Sequence, residues 1–352
     1  MAGGRGERFW PKSRASMPKQ FLSLTDDGKT MIRLTAERHL SIVPWEDMFV
    51  VTNKDYIGLV REQLPEIPPE NILAEPMAKN TAPCIGYAAT VIRKKYGDAV
   101  MLVLASDHLI QNARLYLDTM AQAVEVALEG DNLATVGITP SYPETGYGYI
   151  HFGSDGEHAG HKGVYAVRRF VEKPDLETAK GYLASGDYLW NSGMFVWKAS
   201  SILSRFERLM PQVYEDLCLI ENSIGKDSHI EVLRRCFERF PSISIDYGIM
   251  EKADNIYTLP GAYGWDDVGS WLALERINPT DSHGNYLQGN VLCDGTRNSI
   301  VVGADKLIAA VDLEEMVVVD TKDAMLICRK ESVQNVKKII EHLRASGRSD
   351  LI

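Results

Sequence analysis

A handful of charged residues at loop positions could together handle a polyphosphate. Arg8 and Lys19 follow the glycine run Gly3-Gly4-Arg5-Gly6, whose backbone amides can approach phosphate oxygens closely because glycine has no Cβ and tolerates positive φ. Attack at a phosphorus builds negative charge, and cations held there stabilise the transition state more than the ground state. Asp107 follows the apolar run Val100–Ala105, and Asp267 lies in the turn Trp265-Asp266-Asp267-Val268-Gly269. A divalent ion such as Mg²⁺ takes one or two carboxylates plus phosphate oxygens and waters, so this pair suffices if folding unites it. Read locally, Asp107 equally caps the next segment and Asp267 holds a turn, and Asp266 competes for the same role. Glu172 and Lys173 end the run Val164–Val171 just before Pro174. They are placed for a glycosyl phosphate; an exposed Glu-Lys pair on a sheet edge is the bland alternative, against which Trp190 and the small residues around Asn191 favour a pocket.

Other chemistries are disfavoured. Phe9 stands where a dinucleotide-binding fingerprint wants glycine, which argues against a dehydrogenase, and no Gly-Lys-Ser/Thr follows the loop. His108 beside Asp107 reads as a packed histidine, because a sugar phosphate with second pKa near ~6 is already a dianion at neutral pH and needs no general base. Five scattered cysteines with no CxxC pair argue against a zinc site and a disulfide framework. A reducing cytoplasm is expected. Net charge is −10, which repels nucleic acid, so an anionic ligand needs a local cationic site. Arg5, Arg8, Lys12, Arg14 and Lys19, opposed only by Glu7, supply it. No apolar run approaches the ~18 residues of a membrane span, and no membrane partner is expected.

The elements that must position these residues alternate. Apolar runs at Met48–Val51, Val100–Ala105, Leu133–Ile138, Val164–Val171 and Gly193–Trp197 read as buried strands, with helix-spaced stretches at Tyr56–Leu64, Thr81–Tyr96 and Tyr116–Leu128. The alternation predicts a Rossmann-like α/β domain, with a mostly parallel sheet, helices on both faces and ligands at the carboxyl ends of strands. Ala199–Phe240 reads as a helical insertion broken at Pro211. After about Pro279 short β-rich runs follow, at Ser299–Val302, Leu307–Val311, Met316–Val319 and Ala324–Ile327, closed by a helix from Ser332 as N-cap to Ala345, with Gly347 as terminator. The expected domains are 1–280 and 281–352. A glycine loop normally follows a buried strand, yet only Met1 and Ala2 precede Gly3. That first strand reads as missing, and its loss would leave a central sheet position unfilled.

The string GGRGERFWPKSRASMPKQF at 3–21 resembles the nucleotidyltransferases that make NDP-sugars, in particular the mannose-1-phosphate guanylyltransferases. Further matches follow in the family's order: Asn80-Thr81-Ala82-Pro83, Ser106-Asp107-His108, Thr145-Gly146-Tyr147-Gly148-Tyr149-Ile150, Phe170–Pro174, Trp190-Asn191-Ser192-Gly193-Met194-Phe195, Ile245–Glu251 and Trp265–Trp271. The resemblance covers about residues 1–350. It implies transfer of GMP from GTP to mannose 1-phosphate with release of pyrophosphate, using Mg²⁺ on Asp107 and Asp267. It further implies that Gly3, Gly4, Gly6, Glu75, Asn80, Thr81 and Ser106 bind nucleotide, that Arg8, Lys19 and Lys173 carry catalysis, and that Gly146, Tyr147, Glu172, Lys173 and Asn191 hold the sugar phosphate. The small second domain is expected to be a left-handed β-helix-like unit through which a homodimer would pair. Some relatives append a cupin-type isomerase domain, whose activity is not expected in a chain ending at Ile352. The rivals are another sugar 1-phosphate or NTP, and a regulatory subunit that binds nucleotide sugar without turnover.

Overall fold

The computed structural model describes residues 1–4, 6–25, 27–153 and 160–352; Arg5 of the basic hairpin lies outside them. The first domain carries β1 (Val50–Asn53), β2 (Ile72–Glu75), β3 (Val100–Val103), β4 (Leu109–Ile110), β5 (Leu133–Ile138), β6 (Tyr149–Phe152), β7 (Tyr165–Val171), β8 (Tyr188–Lys198), β9 (Ile256–Gly261) and β10 (Trp265–Asp266). All six residues of β5 are buried, because alternate side chains feed two different cores. Leu133 packs with the helices Thr81–Tyr96 and Ala199–Leu209, while Ala134 and Val136 pack with the helix Ala113–Leu128. In β8, Phe195 and Trp197 serve the first core and Met194 and Val196 the second. Helices therefore cover both faces, as a continuously apolar strand requires.

The main sheet runs β3-β8-β5-β9-β7-β6, with β6 also touching β8. The strands β3, β5, β6 and β9 share one direction, and β7 and β8 run against them. The α/β class stands, but the ladders are more mixed than simple strand–helix alternation implies. The eleven-residue β8 reaches its place without a right-handed crossover and slots in antiparallel between β3 and β5.

A second, smaller sheet holds only the parallel pair β1 and β2. Met1 and Ala2 lie between it and the main sheet. The Ala2 amide donates to Val51 at 2.7 Å, the Met1 ammonium donates to Leu104 at 2.8 Å, and the Ser106 amide donates to Met1 at 3.1 Å. Behind them is a cavity of about 720 Å³ lined by Ile32, Val50, Val51, Ile85, Met101 and Val103.

The chain after β10 forms β11 (Tyr286–Gln288), β12 (Val291–Asp294), β13 (Ile300–Val302), β14 (Ile308–Val311), β15 (Met316–Asp320) and β16 (Met325–Arg329). Parallel ladders β11-β13-β15 and β12-β14 stack like the turns of a β-helix. The last helix begins at Val336, not near Ser332, because Lys330–Asn335 winds as a 3₁₀ turn first. Gly347, at φ 74°, ends it as expected. This domain's core is shared. Phe9, Trp10, Val268 and Trp271 pack with Ile300, Val302, Val317, Val319 and Ile340 in one cluster, and the Trp271 indole donates to the Trp10 carbonyl at 3.0 Å. The β domain therefore buttresses both the glycine hairpin and the Asp267 turn.

Candidate active site

The two distant aspartates meet through a short ladder. β10 pairs antiparallel with β4, Asp266 opposite Leu109, which brings the chain leading into Asp267 alongside the chain that leaves Asp107. Lys19 completes the junction. Its ammonium lies 2.7 Å from Asp107 Oδ2, 2.7 Å from the Asp267 carbonyl oxygen and 3.0 Å from the Val268 carbonyl oxygen. A lysine has three N–H donors, so all are engaged within the protein. Burial pushes the Asp107 carboxyl up, but the Lys19 and His108 charges outweigh it and hold the group below its ordinary value. The close approach of Lys19 depends on Gly6, at φ 59°, where a Cβ would fall 2.3 Å from the Lys19 Cβ. Lys19 thus ties the two acidic positions together, where the sequence suggested a cation held out to phosphate.

Other cations of the hairpin are also committed. Arg14 pairs with Asp323 at 2.7 Å and donates to the Leu351 carbonyl, while Lys12 donates to Gln288 at 3.0 Å. Both tether the β domain. Among the described residues the half-buried Arg8 has no ion-pair partner, which leaves its guanidinium for an anion. Gln20, unremarked in the sequence, donates to the carbonyls of Ala2 and Gly4, both at 2.9 Å, and so shapes the glycine loop. Gly3 faces Glu75: a Cβ there would come within 3.3 Å of Glu75 Oε2. Glu75 is 5% exposed and its Oε1 has no hydrogen-bond partner. Burial pushes its carboxyl up to about 7.

The start of the helix Thr81–Tyr96 is less open to phosphate than expected. Asn80, strained at φ 68°, caps the Thr81 amide, the Ala82 amide donates to Ile243, and Pro83 has no N–H. The Thr81 hydroxyl accepts from the Ile245 amide at 2.8 Å. Asn80 and Thr81 therefore fasten the Ile243–Ile245 segment, and Ser106 is buried against Met1.

Of the residues expected to hold the sugar phosphate, Glu172 and Lys173 pair at 2.6 Å, and the Lys173 side chain is 62% exposed. Asn191 donates to Asp246 Oδ1 at 2.7 Å and accepts from the Gly193 amide at 3.0 Å. Asp246 was not singled out as a site residue by the sequence; only its motif was. Burial first, then the Glu172 charge, pushes its carboxyl up. The Gly146 amide donates to Glu144 at 2.7 Å, and a Cβ on Gly148 would lie 2.9 Å from Glu172 Oε1, so the glycines let this segment pass close to the carboxylates. Tyr147 points the other way, with its hydroxyl donating to Asp267 Oδ1 at 2.7 Å.

Asp266 is committed to Arg276 and to the backbone. Both its oxygens accept from Arg276, at 2.7 and 3.0 Å, and Oδ1 also caps the Val268 amide at 2.7 Å. His108 accepts at Nδ1 from the Trp265 indole at 3.2 Å and burial keeps its pKa low, consistent with packing. Among the described residues no three His, Cys, Asp or Glu side chains gather as a metal cluster. Each of the two carboxylates has one oxygen engaged, Asp107 Oδ2 by Lys19 and Asp267 Oδ1 by Tyr147, and hard oxygen ligands of this kind suit Mg²⁺ better than zinc.

Similarity to known proteins agrees with this geometry. The nucleotidyl transferase family model matches residues 1–284, and the mannose-P isomerase/GMP-like β-helix domain model matches 289–343. A putative mannose-1-phosphate guanylyltransferase from Vibrio cholerae is 42% identical over 99% of this chain and 75% of its own length. The alginate biosynthesis protein AlgA of Pseudomonas aeruginosa is 39% identical over 99% of this chain and 72% of its own. The crystal structure of mannose-1-phosphate geranyltransferase from Thermus thermophilus superposes with a TM-score of 0.88 at 32% identity, covering 98% of both chains. No described helix is long and apolar enough to cross a membrane. A match over 99% of the chain at 42% identity, together with the family model over residues 1–284, places the chain in the nucleotidyl transferase family, among the mannose-1-phosphate guanylyltransferases.

Proposed function

We propose that this chain transfers GMP from GTP to α-D-mannose 1-phosphate, forming GDP-mannose and pyrophosphate by in-line attack on the α-phosphorus. The observation that carries the reading is the Lys19 junction, which joins Asp107 and the Asp267 turn beside the glycine loop. Asp107 and Asp267 are the residues to hold Mg²⁺, which when bound would neutralise the charge of the triphosphate. The glycine amides of Gly3, Gly4 and Gly6 and the free guanidinium of Arg8 face the phosphates. Glu75, with a spare buried oxygen, is chemically suited to accept from the ring N–H and amino group of guanine, two donors that adenine and the pyrimidines do not present together. Asn80, Thr81 and Ser106 act behind it by fixing the loop.

On the other side Lys173 takes the phosphate of the sugar, and Glu172 and Asp246 accept from its hydroxyls, with Asn191 orienting Asp246. The acceptor dianion needs no base, and the residues here orient it instead. The exposed apolar side chains Leu292, Val311 and Ile327 on β12, β14 and β16 support a homodimer joined through the β domain, and residence in the cytoplasm fits the free cysteines. The test is a panel of purified protein, paired sugar 1-phosphates and NTPs, and a pyrophosphate readout. GTP with mannose 1-phosphate is expected to give the highest kcat/KM. A protein that binds GDP-mannose yet releases no pyrophosphate from any pair would overturn the enzymatic reading.

A further inference from the structure

The Thr145–Ile150 segment belongs to the acceptor pocket through its glycines, yet Tyr147 leaves that pocket. Its ring wedges between Trp190 and Trp265, with centroids 5.3 and 5.4 Å away at 77° and 69°, and its hydroxyl ends 2.7 Å from Asp267 Oδ1. Edge-to-face contacts on two sides fix the ring. The hydroxyl position is thereby fixed as well, and with it one oxygen of the carboxylate. The other side of that carboxylate is bounded by Gly269, where a Cβ would lie 2.8 Å from Asp267 Oδ2. A rotatable Asp side chain is thus confined between a phenol and a bare glycine Cα.

We infer that Tyr147 is a positioning residue for the metal carboxylate: by holding Oδ1 of Asp267 it presets which oxygen is offered to a divalent cation. The inference rests on the assignment of Asp267 as a metal ligand. Partners that hydrogen-bond ligating groups orient them and raise affinity for the ion, and losing one typically costs about 10–100-fold in metal binding. The same ring touches Trp190, which precedes Asn191 in the acceptor pocket. Tyr147 therefore links the residues that handle the two substrates through one rigid aromatic stack.

The test uses the full chain and Mn²⁺ as probe, its free concentration read by electron paramagnetic resonance, with and without GDP-mannose. Tyr147→Phe keeps the ring and its packing and deletes only the hydroxyl. Its Kd for Mn²⁺ is expected to rise about tenfold, with an unchanged melting temperature and unchanged tryptophan emission. Asp267→Asn is expected to abolish this binding, and adding Tyr147→Phe to it should change nothing further, as a cycle of coupled residues requires. If Asp267→Asn binds Mn²⁺ as the unmodified protein does, the metal reading itself fails. If Asp267→Asn loses binding but Tyr147→Phe does not weaken it, the positioning role is overturned and Tyr147 is packing alone. Should Tyr147→Phe melt early, 3-fluorotyrosine at the same position keeps the shape and alters only the donor. A Kd that stays put there also overturns the inference.

Discussion

The proposed donor and acceptor halves of this site are built on opposite principles. On the nucleotide side the groups are tied: Lys19 commits every proton to protein oxygens, Gln20 holds two loop carbonyls, and the β domain braces the hairpin through Trp10 and Trp271. On the sugar side Lys173 stands largely in solvent with one partner, Glu172. Where charge develops in a transition state, groups fixed beforehand need no reorganisation. A pocket that only has to admit and orient a hydroxylated ring can keep a long flexible cation at its rim.

The contrast is broken most severely at Asp267. Replacement by Asn should lower kcat about 10³-fold with little change in the KM for mannose 1-phosphate, measured by pyrophosphate release at the Mg²⁺ concentration that saturates the unmodified protein. Glu75→Ala should narrow the preference for GTP over ITP, which lacks the amino group, by about 30-fold in kcat/KM. On the opposite side Lys173→Met should raise the KM for mannose 1-phosphate about tenfold and spare kcat; a pure kcat loss would show that Lys173 too is a fixed transition-state group. Within the hairpin, Arg8→Ala should weaken GTP binding without moving the melting temperature, whereas Arg14→Ala should lower melting by roughly 2 °C and spare activity. Calorimetry and nucleotide titration on the same two variants separate them.

A smaller effect is pH dependence from Glu75. Its carboxyl is raised in the folded protein to about 7, so the folded chain holds a proton that the unfolded chain has released. Its contribution to stability is complete below the ordinary carboxylate pKa and is lost as pH rises through about 7. Glu75→Gln should flatten that decline in denaturant titrations between about pH 5 and 8. Selection of GTP over ITP by the wild type should sharpen over the same interval, since only the ionised carboxylate accepts from both guanine donors. A chain extended before Met1 by about five apolar residues should also melt higher, because the cavity between β1 and β3 offers apolar walls to an extended segment.

Much of the fold could be read in advance. Leu133–Ile138 is a strand over the range its apolar run indicates, and Thr81–Tyr96 is a helix between Asn80 and Gly97, because burial and capping are local signals. Strand direction was less legible: β8 reads as one more buried run, and only packing sets it antiparallel to its neighbours. Asp246 escaped assignment since a polar residue in a short helical turn carries no mark of what it faces.

Residue types and their order determined the phosphate-handling inventory: glycines without Cβ, cations beside them, and two aspartates after apolar runs. Which charged groups remain available was decided by tertiary structure alone. Arg14 and Lys12 are drawn off by the β domain, Lys19 by two carbonyls and a carboxylate, and Asp266 by Arg276. The physical reason is that a hydrogen-bonding group is used up by whatever partner the fold places within about 3 Å. Most of those partners lie far off in the chain, 309 residues for Arg14 and Asp323, a distance over which sequence spacing carries no information about direction.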